Sequence, residues 1–161
     1  MTPGALIIGY GNVLRSDDGI GWHVVEHLAA DARFDGLMIL QRHQLTPELA
    51  LDVSRADLVV LVDATQERPA ATFAIERLIP MRTATTTWSH RMDPSTVVAL
   101  ARELYGRAPE VDVLSVGVAS MDVGDRLSPA LEAIVPHVVD ALAALIAART
   151  RHEQFAVVDH A

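Results

Sequence analysis

A single three-layer α/β domain, with a mainly parallel five-stranded sheet and one antiparallel strand, is predicted by three observations. Short, near-continuous apolar runs recur at Ala5 to Ile8, Met38 to Leu40, Leu58 to Val62, Phe73 to Leu78 and Val111 to Val118. Such runs are typical of strands buried on both faces. Helical segments alternate with them in the order β-α-β-α-β-β-α-β-α, as crossover connections between parallel strands require. A chain of 161 residues can also bury about 70% of its unfolded surface, enough for one core without metals or crosslinks. Residues 1–150 are assigned to this domain and residues 151–161 to a flexible tail.

The first strand passes through the loop of Ile8 to Gly21, IGYGNVLRSDDGIG, into a helix whose apolar stripe is Ile20, Val24, Val25 and Leu28. Three later helices share one start device, a capping residue followed by proline: Thr46-Pro47, Asp93-Pro94 and Ser128-Pro129. The side-chain oxygen takes an orphan N–H of the first turn, and proline there gives up a donor that had no partner. The first of these helices is predicted from Pro47 to about Ser54. The second runs from Pro94 to Tyr105, with Gly106 as a left-handed stop. In the third, Pro136 predicts a break, so a short piece from Pro129 precedes a longer one from Pro136 to about Arg149. Phe73 to Leu78 follows a Glu67-Arg68-Pro69 turn and is the strand expected to run antiparallel.

Composition narrows the function. The chain has no cysteine, which removes disulfides, thiolate metal sites and a cysteine nucleophile, and suits a reducing compartment such as the cytoplasm. The net charge of -8 makes nucleic acid a poor partner. Leu131 to Ala148 is apolar but contains Glu132, Pro136, His137 and Asp140. Neither a membrane span nor a signal peptide is expected.

Ligands of open parallel sheets bind outside the carboxyl ends of the strands. Asp17 and Asp18 follow the first strand, Asp63 closes the run LVVLVDA, and His90 lies in a loop just before a capped helix. Two carboxylates and an imidazole from separate segments can form an O/O/N site for nickel or zinc. The bland alternative is that the acids cap or turn and the histidine is solvated. Asp17 sits where a cap belongs and is expected to hold the N–H of Gly19 or Ile20, which leaves Asp18 as the ligand facing the rim.

Other patterns compete less well. Gly9-Tyr10-Gly11 begins like a dinucleotide fingerprint, but Leu14 stands where the third glycine belongs, and no ribose-binding acid ends the second strand. His23-Val24-Val25-Glu26-His27 matches H-x-x-E-H, yet His23 and Glu26 fall opposite the apolar stripe, with His27 on its border, and a third zinc ligand is missing. Ser16 and Ser89 lie outside any G-x-S-x-G.

The ordered set Gly9-x-Gly11-Asn12-x-Leu14-x-x-Asp17-Asp18-Gly19-x-Gly21, the VDA ending at Ala64 and the Ser89-His90 loop resembles the [NiFe]-hydrogenase maturation endopeptidases. The resemblance continues through Val116-Gly117-Val118 and Leu127-Ser128-Pro129, to about residue 148. It implies a twisted five-stranded sheet and cytoplasmic removal of a C-terminal extension from the nickel-loaded precursor of a hydrogenase large subunit. It also implies that Asp18, Asp63 and His90 contact nickel carried by the substrate, so the isolated enzyme need hold no metal. Enzymes of this group are classed as aspartic-type. On that reading Asp18 or Asp63 orients the attacking water while the metal polarises the carbonyl.

One departure stands out. Some family members carry a glycine-threonine loop after the second strand, where this chain has Gln41-Arg42-His43-Gln44-Leu45-Thr46-Pro47-Glu48. This difference suggests a different precursor partner, with Arg42 and Gln44 as candidate substrate contacts and His43 left open. Two further readings of the same three ligands are a nickel-dependent assembly factor that binds the precursor without cutting it, and a self-contained zinc hydrolase.

Overall fold

A computed structural model describes residues 4–79 and 92–158, with side chains to residue 151. The strands are β1 (Ala5–Tyr10), β2 (Met38–Arg42), β3 (Leu58–Thr65), β4 (Phe73–Arg77) and β5 (Glu110–Gly117). The helices are α1 (Ile20–Ala29), α2 (Leu49–Arg55), α3 (Pro94–Tyr105) and α4 (Pro129–Val158). One sheet holds all five strands in the order β2-β1-β3-β5-β4, and only the β4–β5 pair is antiparallel. Element order, strand count and the antiparallel fourth strand agree with the sequence reading.

The apolar strands sort their side chains by parity, as a two-residue period demands. Ile7, Val60, Val62, Leu114 and Val116 pack under α1 and α4, against Ile20, Val24, Leu28, Leu131, Val138 and Leu142. Leu6, Ile8, Val59, Leu61 and Val111 pack on the other face, against Leu49, Val53, Val97 and Val98 of α2 and α3. Helix α1 lies very close to the sheet because two glycines meet there. A Cβ on Gly9 would run into the carbonyl of Gly21, and one on Gly21 into the carbonyl oxygens of Val62 and Tyr10.

Helix α3 has both ends as predicted. Asp93 Oδ1 accepts from Thr96 N at 2.8 Å, and Gly106 closes the helix at φ 72°. Two expectations are corrected. Helix α2 begins at Leu49, after a turn in which Thr46 O and Pro47 O accept from Leu49 N and Ala50 N. Helix α4 does not break at Pro136 but runs unbroken through it, and residues 151–158 continue the helix. Burial on both sides of the proline, of Leu131 and Val135 before it and Val138 and Leu142 after it, outweighs the lost N–H and holds the helix together. Residues 129–151 are long and apolar enough to cross a membrane by length and composition, and one face of this stretch, with Leu131, Val135, Val138 and Leu142, is buried against the sheet and α1.

Candidate active site

The strand order puts a topological switch point between β1 and β3. From β1 the chain crosses by α1 to β2 on one side, while β3 lies on the other, so the crevice at their carboxyl ends is where an open sheet binds ligands. Along the α2/α3 face the rows approaching this edge are apolar, ending with Leu40, Ile8, Leu61 and Val113. Two residues further on, the same face presents Arg42, Tyr10, Asp63 and Ser115, one from each of four adjacent strands. Tyr10 is paired with Arg42, and Asp63 with Ser115. The change from apolar to polar rows marks the floor of the site.

At this edge a cleft of about 340 Å³ is lined by residues that include Tyr10, Asn12, Asp18, His43, Gln44 and Met92. Asp18 is 6% exposed and its Oδ2 accepts from Asn12 N at 3.0 Å. Tyr10 donates its phenol to Asp63 Oδ2 at 3.0 Å, which ties Asp63 to a residue of the cleft. Burial, then the charge of Asp63 and this hydrogen bond, then the charge of Asp93, push the Tyr10 phenol far above its ordinary pKa. It is therefore a neutral donor at any working pH.

Asp17 does not cap the following turn as expected. It is fully buried and reaches across to the β5–α4 connection, accepting from Ala119 N and Ser120 N at 3.0 Å, Ser128 N at 2.7 Å and Ser128 Oγ at 2.9 Å. Burial raises its pKa, but the bonds from Ser128, Ser120 and Ala119 outweigh it and leave the carboxyl below the usual aspartate value. Ser128 in turn spends its hydroxyl on Asp17 instead of on α4, whose first turn is held by the Ser128 carbonyl. The adjacent acids are thus divided: Asp17 fixes the loop and Asp18 faces the cleft.

Of the other candidates, Gln44 is exposed and lines the cleft. Arg42 lies at the end of β2, with its guanidinium on the Gln41 carbonyl at 2.7 Å. His90 lies outside the described residues. Among the described residues no group of three His, Asp or Glu side chains is arranged to hold a metal, and this includes the H-x-x-E-H segment. There His23 is half-buried, 3.6 Å from Glu26, while Glu26 and His27 are exposed. His43, left open by the sequence, stacks on Trp22 with ring centroids 5.0 Å apart and forms part of the cleft wall. Tyr10 was not singled out from the sequence. The signal that could have found it is its position two residues beyond Ile8, on the same face as the end of β3.

Neither a family model nor a curated protein sequence matches the chain. Solved structures do. The hydrogenase maturating endopeptidase HybD from E. coli is 22% identical with a TM-score of 0.72, covering 91% of this chain and 93% of its own. The [NiFe] hydrogenase maturation protease HycI from Thermococcus kodakarensis KOD1 is 21% identical with a TM-score of 0.70, over 89% and 92% of the two chains. An endopeptidase from Escherichia coli solved in solution is 24% identical with a TM-score of 0.70, over 86% and 89%. Over nearly its whole length, then, the chain has the fold of the solved hydrogenase maturation endopeptidases.

Proposed function

We propose that the protein is an endopeptidase acting in the cytoplasm, which removes a C-terminal extension from the nickel-loaded precursor of a [NiFe]-hydrogenase large subunit. The observation that carries this reading is the pair of acids at the switch point, Asp18 in the cleft wall and Asp63 bonded to Tyr10 beside it, in a chain with the fold of such enzymes. Asp18, Asp63 and His90 grip nickel borne by the substrate, and Arg42 and Gln44 contact the precursor. Nickel polarises the scissile carbonyl, and Asp18 or Asp63 orients the water. Asp18 is suited to this because one oxygen is fixed by Asn12 N while the residue still lines the cleft.

The test is to incubate the purified protein with nickel-loaded and nickel-free precursor and read the precursor's intact mass. Loss of the extension from the loaded form alone is the expected result, and Asp63→Asn abolishes it. A stable complex with no loss of mass would replace this reading with the assembly-factor one.

A further inference from the structure

Two exposed aliphatic side chains beside the cleft have no role in the chemistry above. Leu14 is 63% exposed and Val123 is 94% exposed. Their loops are joined: Gly124 N donates to Leu14 O and Ser16 N to Gly124 O, both at 2.9 Å, forming an isolated bridge between Arg15 and Gly124. Arg15 Nε donates to Met121 O at 3.2 Å and Ser16 Oγ to Asp122 O at 2.9 Å. Beneath them the buried Asp17 carboxylate holds both loops together through Ser120 and Ser128.

Apolar side chains displayed on a backbone this firmly held lose little freedom when covered, so they are pre-organised for a partner. Exposed Arg15, Asp122, Asp125 and Arg126 surround them in the sequence of the two loops, and an apolar centre with a polar rim is the usual composition of a protein interface. The patch is also continuous with the cleft. Leu14 N donates to Asn12 Oδ1 at 2.9 Å, and Asn12 N donates to Asp18 Oδ2 at 3.0 Å. A protein seated on Leu14 therefore has its neighbouring chain within a few residues' reach of Asp18.

We infer that Leu14 and Val123 form a docking patch for the folded body of the precursor, covering an apolar area beside the segment to be cut. This rests on the peptidase reading. The patch supplies binding that is equal in ground and transition states, so its loss raises KM and leaves kcat alone.

The experiment compares wild type, the double variant Leu14→Ser/Val123→Ser, Val123→Ser alone and Leu104→Ser on nickel-loaded precursor. Leu104 is 61% exposed at the far end of α3 and serves as the control. The double variant is expected to raise KM about tenfold or more with kcat unchanged, and Val123→Ser about threefold, as loss of one or two part-buried aliphatic contacts predicts. Leu104→Ser changes neither constant. An unchanged KM in the double variant, with wild type cleaving normally, overturns the docking patch alone. A fall in kcat at constant KM also overturns it and assigns the loops to the chemistry. Failure of wild type to cleave removes the peptidase reading, and the patch falls with it.

Discussion

Tyr10 and Asp63 are joined across the switch point, phenol to Oδ2 at 3.0 Å, by the last residue of β1 and a residue near the end of β3. The phenol stays protonated because burial, first, and the neighbouring carboxylates, second, oppose its ionisation. It therefore gives Asp63 a fixed, charge-assisted bond, stronger than a neutral one. In Tyr10→Phe the ring still fills its place, but one anchor of the carboxylate is gone. Cleavage of the nickel-loaded precursor should fall about tenfold, the effect of roughly 1.4 kcal/mol on the barrier. A variant cleaving at the wild-type rate would remove Tyr10 from the site.

Asp17 and Ser128 make the opposite kind of pair, structural and not chemical. Asp17→Asn keeps the shape but has one acceptor oxygen where the carboxylate serves four donors. It should lower stability by about 2–4 kcal/mol, and Ser128→Ala by about 1–2 kcal/mol, in denaturant unfolding. The pH dependence has a definite sign. The Asp17 pKa is lowered by folding, so its stabilisation is complete above the unfolded-state value and is lost as pH falls through the folded-state value. The gap between wild type and Asp17→Asn should be widest near neutrality and shrink below about pH 4. A gap constant from neutral pH to pH 3 would contradict this role.

These two pairs indicate which parts of the site were legible in the sequence. Asp63 could be placed at the sheet edge because it ends a run of five apolar residues, and Asp18 because it follows the first strand. Both inferences need only local periodicity. Asp17 was misread as a cap because its partners lie 102 to 111 residues away, where no local rule reaches. Ser128 was misread for the same reason, since a serine before proline meets every local requirement of a cap. Tyr10 is hidden for a related reason: its partner is set by the register of β1 on β3. The whole of α3 was legible because Asp93, Pro94 and Gly106 fix its ends through bonds within one turn.

The close approach of α1 to the sheet makes a sharp contrast between glycines. Gly21→Ala places a methyl group against two backbone carbonyls, including Tyr10 O at 2.7 Å, and backbone cannot step aside as a side chain can. Gly36 has φ 82° but nothing within 4 Å of the added carbon, so Gly36→Ala pays only for its left-handed backbone. Equilibrium unfolding should show a loss of about 1–2 kcal/mol for Gly36→Ala. Gly21→Ala should lose more than about 3 kcal/mol or fail to fold. Equal losses would mean that the helix can lift from the sheet.

Pro136 offers a test in the stabilising direction. It sits inside α4, seven residues after the first, and is exposed on the helix surface, so its ring contributes nothing to the core. It withholds one N–H from the helix and crowds the carbonyl four residues earlier, that of Glu132. Leu131, Val135, Val138 and Leu142 hold the helix continuous in spite of this. Restoring the donor should therefore cost no packing. Pro136→Ala is expected to raise stability by about 1–3 kcal/mol, less than or equal to the full difference in helix propensity, because the unfolded chain also gains freedom. The check is a thermal melt with helical content followed by circular dichroism. A lower Tm would mean that the proline bends α4 onto the sheet, and that the core depends on that bend.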